Sequence, residues 1–359
     1  MNSRKTALSF AAAGTAAGVV GLVVLATPAG AGEAPPALPP VSAEALVESV
    51  LNTDAIPALT GSVAVENNLG LPIPGMPASS GEGDSIQVWS DGTGKGRLAL
   101  AGGRSETTIV DDGATVWVWD SAERSVTKVP HQGGVADKPV EGKFADPAAA
   151  AKELVTAMQQ DSTVSVDGTA RVAERPVYQL VLAPKPTEKT LLREIRVSVD
   201  SELRIPLQLE VLANGQSDPA VKVGFTEFSS GAQDPKLFQF TPPAGTTVSE
   251  KDVPEEMHGE AVDDWLSQAD LKTVGRGWDI VATGKVPAEA LTAAEGMSER
   301  GGQDMFALLG TFGKEVHGDF GTGYVISASV GTAVITEDGK VAVGAVPEQV
   351  VLDAVKTVR

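Results

Sequence analysis

Apolar and polar residues alternate along most of the chain between residues 61 and 241, which predicts a succession of short β-strands. Tight-turn signals such as Asp111-Asp112-Gly113 separate the alternating segments, so consecutive strands are expected to pair antiparallel. The predicted strands are 61–66, 86–89, 97–100, 107–110, 115–119, 125–129, 164–171, 175–183, 194–200, 206–212, 221–229 and 238–241.

Two helices are predicted beside these strands. Ser42 is an N-cap residue followed by apolar positions on one helical face. Asp146 and Pro147 begin a second helix that extends to about residue 160. The predicted fold class is therefore α+β, an open and strongly curved antiparallel β-barrel with helices covering one face.

The region 251–359 has a different pattern and predicts a smaller α+β extension. Its predicted strands are 278–283, 322–329, 331–336 and 340–345, and its predicted helices are 287–297, 303–312 and a last helix that begins at Pro347. We expect a main domain at 42–250 and a C-terminal module at 251–359, preceded by a Pro-rich linker at 32–41.

The N-terminus has the pattern of an export signal over residues 1–31. Arg4 and Lys5 precede an uncharged apolar run at 7–26, and Ala29-Gly30-Ala31 has the small-x-small pattern of a cleavage site. Because the apolar run is about 20 residues long, it could also stay as an uncleaved membrane anchor. Both outcomes predict a protein that acts outside the cytoplasmic membrane, either secreted or held at the cell envelope.

The composition of the chain argues against several classes of binding partner and structural site. The 359 residues include 28 Lys and Arg against 47 Asp and Glu, a net charge of −19, which argues against nucleic acid and anionic membrane surfaces. The chain has no cysteine, so disulfides, thiolate zinc sites and a lipid-modified cysteine are excluded.

The sequence offers no catalytic or metal-binding motif. His131, His258 and His317 are far apart in the sequence, and neither a Gly-x-Ser-x-Gly nor a His-Glu-x-x-His pattern occurs. We predict a binding protein rather than an enzyme, with no catalytic residue, metal or cofactor.

The aromatic residues suggest a binding surface. Trp117 and Trp119 share one face of a strand, where they could form the core of a closed sandwich or line an apolar cavity in a curved sheet. A second apolar series alternates onto one face at Leu203, Ile205, Leu207, Leu209 and Val211.

Three segments, taken in order, resemble the LolA-type periplasmic lipoprotein carriers. They are the hairpin at 111–127, with Asp111-Asp112-Gly113 and Trp117-Val118-Trp119; the strand Tyr178-Gln179-Leu180-Val181-Leu182-Ala183-Pro184; and the string Phe238-Gln239-Phe240-Thr241-Pro242-Pro243-Ala244-Gly245. The resemblance covers about residues 42–250. It implies an incomplete barrel closed by helices, whose apolar interior receives acyl chains.

The chain departs from the carrier pattern at one informative point. After the strand 86–89 the carriers have a basic residue followed by proline, whereas this chain has Ser90-Asp91-Gly92. No residue matches the arginine that serves lid closure in the carriers. The composition suits a high-GC, actinobacterial-type Gram-positive bacterium.

The resemblance leads to two functional expectations. The first is an exported lipid- or lipoprotein-binding protein that shelters acyl chains in an apolar half-barrel cavity. The alternative is a sensor or regulator like the RseB-type proteins, which share the fold, acting through a membrane-bound protein partner. The residues expected to line the cavity are Trp89, Trp117, Trp119, Tyr178, Ile205, Leu207, Phe238 and Phe240.

Overall fold

The structure is a computed structural model. It describes residues 35–53, 56–69, 85–102, 105–130, 155–250, 272–286 and 313–358. Both sheets belong to one compact unit, Leu38–Arg359. The predicted export signal at 1–31 lies outside the described residues. In the parts of the chain that the structure describes, no helix has the length and apolarity needed to cross a bilayer.

Twelve strands form one large sheet. In chain order they are β1 (Leu59–Asn67), β2 (Ser85–Ser90), β3 (Gly96–Gly102), β4 (Ser105–Asp111), β5 (Thr115–Asp120), β6 (Ser125–Pro130), β7 (Ser162–Val172), β8 (Arg175–Pro184), β9 (Leu192–Asp200), β10 (Pro206–Ala213), β11 (Val221–Ser230) and β12 (Thr247–Glu250). Their order across the sheet is β12-β6-β5-β4-β3-β2-β1-β11-β10-β9-β8-β7. All neighbours pair antiparallel except β12, which lies parallel to β6.

The large sheet is strongly curved. In a flat sheet β1 and β7 would lie about 24 Å apart, at five strand spacings. Nevertheless Leu59 of β1 and Val172 of β7 belong to one buried cluster, together with Val177, Ile205 and Leu207. Register shifts in the β1–β11, β9–β10 and β7–β8 pairs supply bulges at which strands bend. The predicted large curved antiparallel sheet is confirmed.

Helix α1 (Ala43–Leu51) packs on this sheet. The Ser42 hydroxyl accepts a hydrogen bond from the Ala45 N–H at 3.2 Å, as predicted for an N-cap. Leu46 is fully buried in a cluster with Tyr178 and Val199. Of the second predicted helix, residues 155–158 are helical, and its start at Asp146 and Pro147 lies outside the described residues.

Six further strands form a second, smaller sheet. They are β13 (Lys272–Val274), β14 (Val281–Lys285), β15 (Lys314–Gly318), β16 (Gly321–Ser327), β17 (Thr332–Thr336) and β18 (Lys340–Gly344), in the order β13-β14-β18-β17-β16-β15. Helix α2 (Glu348–Val355) follows Pro347, as predicted, and packs on this sheet. The predicted helices at 287–297 and 303–312 lie outside the described residues.

Two strand predictions are wrong. The segment predicted as a strand at 238–241 follows a 3-10 turn, Pro235–Phe238, and the last strand of the large sheet is β12 instead. The Asp234 carboxylate accepts a hydrogen bond from the Lys236 N–H at 3.0 Å, and this local bond favours the turn over a ladder. The strand predicted from residue 278 starts at Val281, because a 3-10 turn occupies Gly277–Asp279.

Candidate functional site

One face of the large sheet carries two continuous rows of aliphatic side chains. Directly opposed residues in neighbouring strands point to the same face, so the register identifies each row. The first row is Val166, Leu180, Val197, Leu209, Val223 and Val65. The second row is Val164, Leu182, Ile195, Val211 and Val221. We call these eleven residues the aliphatic face.

Within the described ranges, the aliphatic face is only partly covered. Val65 is buried, but the other members are half-buried or exposed, and Leu209 is 40% exposed. Helix α1 covers one end, where Val166, Leu180 and Val197 pack against the cluster around Leu46. A broad apolar surface that the protein leaves accessible marks a binding site more often than a stable solvent-facing surface.

The opposite face of the same strands is charged. Glu66, Lys222, Glu210 and Arg196 are successive cross-strand partners on β1, β11, β10 and β9. Lys222 Nζ lies 2.9 Å from Glu66 Oε1, and Arg196 Nη2 lies 2.6 Å from a Glu194 carboxylate oxygen. This half of the sheet is therefore amphipathic, with its charges on the side away from the aliphatic face.

The apolar character continues beyond β1. Gly61 and Val65 point to the same side of β1, and the partner of Gly61 is Val88 on β2. From Val88 a further half-buried row runs through Leu98, Ile109 and Val118 on β3, β4 and β5. The apolar surface thus extends across most of the sheet.

The predicted tryptophans lie on the other side of these strands. Trp89 follows Val88, and Trp117 and Trp119 flank Val118, so all three point away from the side that Val88 and Val118 share. Trp89, Arg97, Val110, Trp117 and Lys128 form one cross-strand row on β2 to β6. The centroid of the Phe240 ring lies 5.7 Å from that of Trp117.

The segment after β11 covers part of this row. Phe238 is 2% exposed, and Arg97 Nη1 donates to the Leu237 carbonyl at 3.5 Å. Further along, an Arg124 guanidinium N–H donates to the Ala244 carbonyl at 3.2 Å. Phe238, Phe240 and Trp117 therefore pack within the protein on the side away from the apolar rows.

A hydrogen bond fixes the indole of Trp117. Its Nε1–H donates to Asp112 Oδ2 at 2.9 Å. Burial raises the pKa of Asp112, but hydrogen bonds from Trp117 and from the N–H groups of Ala114 and Thr115 outweigh it, and the net pKa lies below the ordinary value. Asp112 is ionised at neutral pH and holds the β4–β5 turn and the indole together.

The remaining predicted residues lie elsewhere. Tyr178 is buried beneath α1, where its hydroxyl donates to the Pro39 carbonyl at 2.9 Å. Ile205 and Leu207 belong to the cluster that joins β1 to β7. The predicted alternation from Leu203 to Val211 is interrupted by a register shift between Pro206 and Gln208, so Leu207 is 2% exposed and Leu209 40%.

The eight residues predicted to line one cavity are thus distributed over three places, and binding by them stays a prediction. Sequence reasoning singled out only Leu209 and Val211 of the aliphatic face, because it favoured large aromatic residues. The signal was present in the alternation Leu192-Arg193-Glu194-Ile195-Arg196-Val197, which places Ile195 and Val197 on one side.

No metal centre emerges from the described ranges, where no group of three or more His, Asp or Glu side chains is placed to hold an ion. His317 is exposed on β15, with Nε2 3.6 Å from a Glu315 carboxylate oxygen. His131 and His258 lie outside the described residues.

Comparison with known proteins gives structural neighbours only. No protein-family model matches the chain, and no curated protein matches it in sequence. Among solved structures, the chain is similar to MucB in the MucA/MucB complex of Pseudomonas aeruginosa, with a TM-score of 0.43 and 16% identity, over 87% of this chain and 96% of that one. MucB is RseB-like.

Two smaller structures match about half of the chain. A LolA superfamily protein from Nitrosomonas europaea matches with a TM-score of 0.23 and 12% identity, over 56% of this chain and 99% of that one. LprF from Mycobacterium bovis matches with a TM-score of 0.27 and 14% identity, over 54% and 96%. These neighbours include the LolA and RseB-like proteins that the sequence motifs resemble, but at such scores they transfer no ligand, partner or activity to this chain.

Proposed function

We propose that this protein binds acyl chains of a lipid or lipoprotein against the aliphatic face, inside an open half-barrel that α1 closes at one end. The observation that carries the proposal is the pair of partly exposed aliphatic rows on β7–β11 and β1. Binding requires no catalytic residue, metal or cofactor.

The chemistry of the surface favours hydrocarbon over polar ligands. All eleven side chains of the aliphatic face are Val, Leu or Ile, which have no hydrogen-bonding groups. Each methylene of a ligand that leaves water contributes about 0.8 kcal/mol. A long chain lying along the rows can therefore bind well without any hydrogen bond.

The site of action follows from the predicted N-terminus. We propose that the protein works outside the cytoplasmic membrane, after export or from a retained anchor. An acyl chain that moves there between membranes or proteins exposes its hydrocarbon to water, which is unfavourable. A carrier that buries the chain removes this exposure.

The test is binding of a fluorescent palmitate analogue to the full chain and to two variants of β10. Leu209→Lys places a charge on the aliphatic face at a partly exposed position, so the fold should tolerate it. We expect the affinity to fall about tenfold or more, which equals ~1.4 kcal/mol. The matched control is Gln208→Lys, on the opposite face of the same strand, which should stay within about twofold. Absence of binding by the unmodified chain would exclude the proposal.

A second candidate function is a protein–protein role for the smaller sheet. Its face opposite α2 carries a cross-strand row of Ala282, Val343, Ala333 and Ile326, and Val343 is 51% exposed. Such a row can pack against a membrane-bound regulatory protein, as the sensor alternative requires. Pull-down from envelope fractions with the full chain and with Val343→Arg would test it, since a partner held by this row should be lost in the variant.

A further inference from the structure

A cleft lies where the two sheets meet. It has a volume of about 370 Å³ and is lined by Asp161, Ser162, Leu182, Leu192, Ile195, Gly277, Trp278, Ile280 and Ala345. We call it the junction cleft. Its walls come from the β7–β9 end of the large sheet and from the segment around the Gly277–Asp279 turn of the C-terminal module.

The junction cleft is continuous with the aliphatic face. Leu182 and Ile195 are direct cross-strand partners on β8 and β9 and belong to the second aliphatic row. Both also line the cleft. A chain that follows this row toward the smaller sheet therefore reaches the cleft without leaving apolar surface.

The polar atoms at the cleft are engaged with one another. Trp278 Nε1–H donates to Ser162 Oγ at 2.8 Å, and the Ser162 hydroxyl donates to Asp161 Oδ1 at 2.9 Å. The Trp278 backbone N–H donates to Glu188 Oε2 at 3.3 Å. The apolar surface left for a ligand comes mainly from leucine and isoleucine side chains and the indole carbons of Trp278.

The charge at the cleft decides which end of a lipid it suits. None of its lining residues is basic, and the one charged lining residue is Asp161. A carboxylate or phosphate headgroup placed here would meet the like charge of Asp161, and no lining residue would offer it a cation. The methyl end of a hydrocarbon chain has no such conflict.

The cleft walls are held in place on both sides. The Leu191 N–H and the Thr190 hydroxyl both donate to the Ala345 carbonyl, at 2.9 and 2.7 Å. The Lys189 N–H donates to the Asp279 carboxylate. The loop between β8 and β9 thus joins the large sheet to the module beside the cleft.

We propose that the junction cleft receives the methyl end of an acyl chain bound on the aliphatic face, so that Trp278 and Ile280 of the C-terminal module complete the binding site. This inference rests on the proposed function. It assigns the module a part in lipid binding and gives the bound chain a direction, with its headgroup away from the smaller sheet.

The first experiment locates the chain by fluorescence. Bromine quenches tryptophan on contact, so palmitate brominated at the methyl end and palmitate brominated beside the carboxyl are titrated into the full chain. We expect stronger quenching by the methyl-end bromide, and we expect that excess to disappear in Trp278→Phe. The matched control is Trp89→Phe, on the far side of the large sheet, which should retain the stronger quenching by the methyl-end bromide.

Binding of palmitate without any dependence of the quenching on Trp278 would overturn the inference and leave the proposed function intact. No binding by either brominated palmitate would overturn both.

A second variant keeps the test independent of the Trp278 hydrogen bond. Ile280 is 45% exposed, so Ile280→Arg should fold while obstructing the cleft. We expect affinity for palmitate to fall about tenfold, as for the loss of roughly two buried methylenes, and affinity for decanoate to change little because the shorter chain ends before the cleft. The control is Val343→Arg, also in the module. An equal loss for both chain lengths would contradict the proposed direction.

Discussion

The apolar faces of the two sheets differ in how completely the protein's own side chains cover them. In the smaller sheet, ten buried residues from the strands, the turns and α2 form one compact core that includes Phe320, Val334 and Val351. In the larger sheet, with twice as many strands, most residues of the longest aliphatic rows stay partly accessible. The difference teaches that strand number does not determine packing: α2 fills one apolar face, whereas α1 covers only one end of the other.

The comparison separates two physical roles. A face filled by a helix at crystal-like density gains stability from each side chain and resists substitution. A face that remains accessible contributes less to folding and more to binding. Substitutions in the core of the smaller sheet should therefore lower stability more than ligand affinity, and substitutions on the aliphatic face should lower ligand affinity more than stability.

The largest expected effect lies in the smaller sheet. Phe320→Ala removes a ring that is 4% exposed and should lower the free energy of unfolding by ~3–5 kcal/mol. Its counterpart Leu209→Ala removes a side chain that is 40% exposed, and the cost should stay below about 1 kcal/mol. Urea unfolding of both variants measures the contrast. Equal losses would show that the aliphatic face is an ordinary core.

The next effect concerns an ion pair near the curved end of the larger sheet. Arg175 donates two hydrogen bonds to Asp200, at 2.7 and 2.9 Å, and the Asp200 side chain is fully buried. Burial raises the pKa of Asp200, but Arg175 and the N–H groups of Leu203 and Glu202 outweigh it and hold the pKa below its ordinary value of 3.8. Asp200→Asn should lower the free energy of unfolding by ~3 kcal/mol at neutral pH.

The pH dependence of that cost has a definite sign. A carboxyl whose pKa is lowered in the folded state stabilises the folded protein fully at pH values above the pKa of the unfolded chain. This stabilisation is lost as the pH falls through the pKa of the folded state. The difference in melting temperature between the unmodified protein and Asp200→Asn should therefore be largest near neutrality and shrink below about pH 4. Thermal unfolding across this range measures it, and a difference that grows in acid would contradict the assignment.

A smaller effect tests how tightly the larger sheet is packed between β1 and β11. A Cβ on Gly61 would lie 2.5 Å from the Glu227 carbonyl oxygen and 2.7 Å from the Phe225 ring. Gly61→Ala should destabilise the protein by ~1–3 kcal/mol. On β3, Gly96→Ala is the control, because its nearest neighbour would be the Trp89 oxygen at an ordinary 3.7 Å. Similar melting temperatures for the two variants would mean that β1 and β11 separate easily at this point.

The smallest effect is local to α1. Ser42→Ala removes the N-cap hydrogen bond to Ala45 and should lower the free energy of unfolding by ~1 kcal/mol. Because α1 covers one end of the aliphatic face, we expect faster amide hydrogen exchange within the helix and unchanged exchange in β16 and β17 of the smaller sheet. Uniform acceleration in both sheets would show that the helix and the smaller sheet unfold together.

Local patterns predicted much of the fold. Alternation located β1–β11, and Ser42 and Pro347 marked the starts of α1 and α2. Strand β12 escaped prediction because its only large apolar residue, Val248, is 51% exposed and its position depends on pairing with β6. A distant partner, not the local pattern, makes it a strand.

The candidate site was harder to predict than the fold. Which side of β5 is shared with the aliphatic rows depends on the register through three intervening strands, β2 to β4, and residue size does not reveal it. The sequence therefore indicated Trp117 where the structure presents Val118 to that side. Trp278 was missed because it lies in a 3-10 turn between Gly275 and the following strand, where no hydrophobic period exists.

Strand β12 also has a consequence for solubility. Without β12 the large sheet would have eleven strands and would offer β6 as an open edge on which another chain could add, a route to aggregation. Residues Thr247–Glu250 occupy that edge from within the same chain, and all four are exposed. A newly synthesised chain is therefore open to strand addition at β6 until β12 docks, and deleting these four residues would expose β6 as a self-association surface.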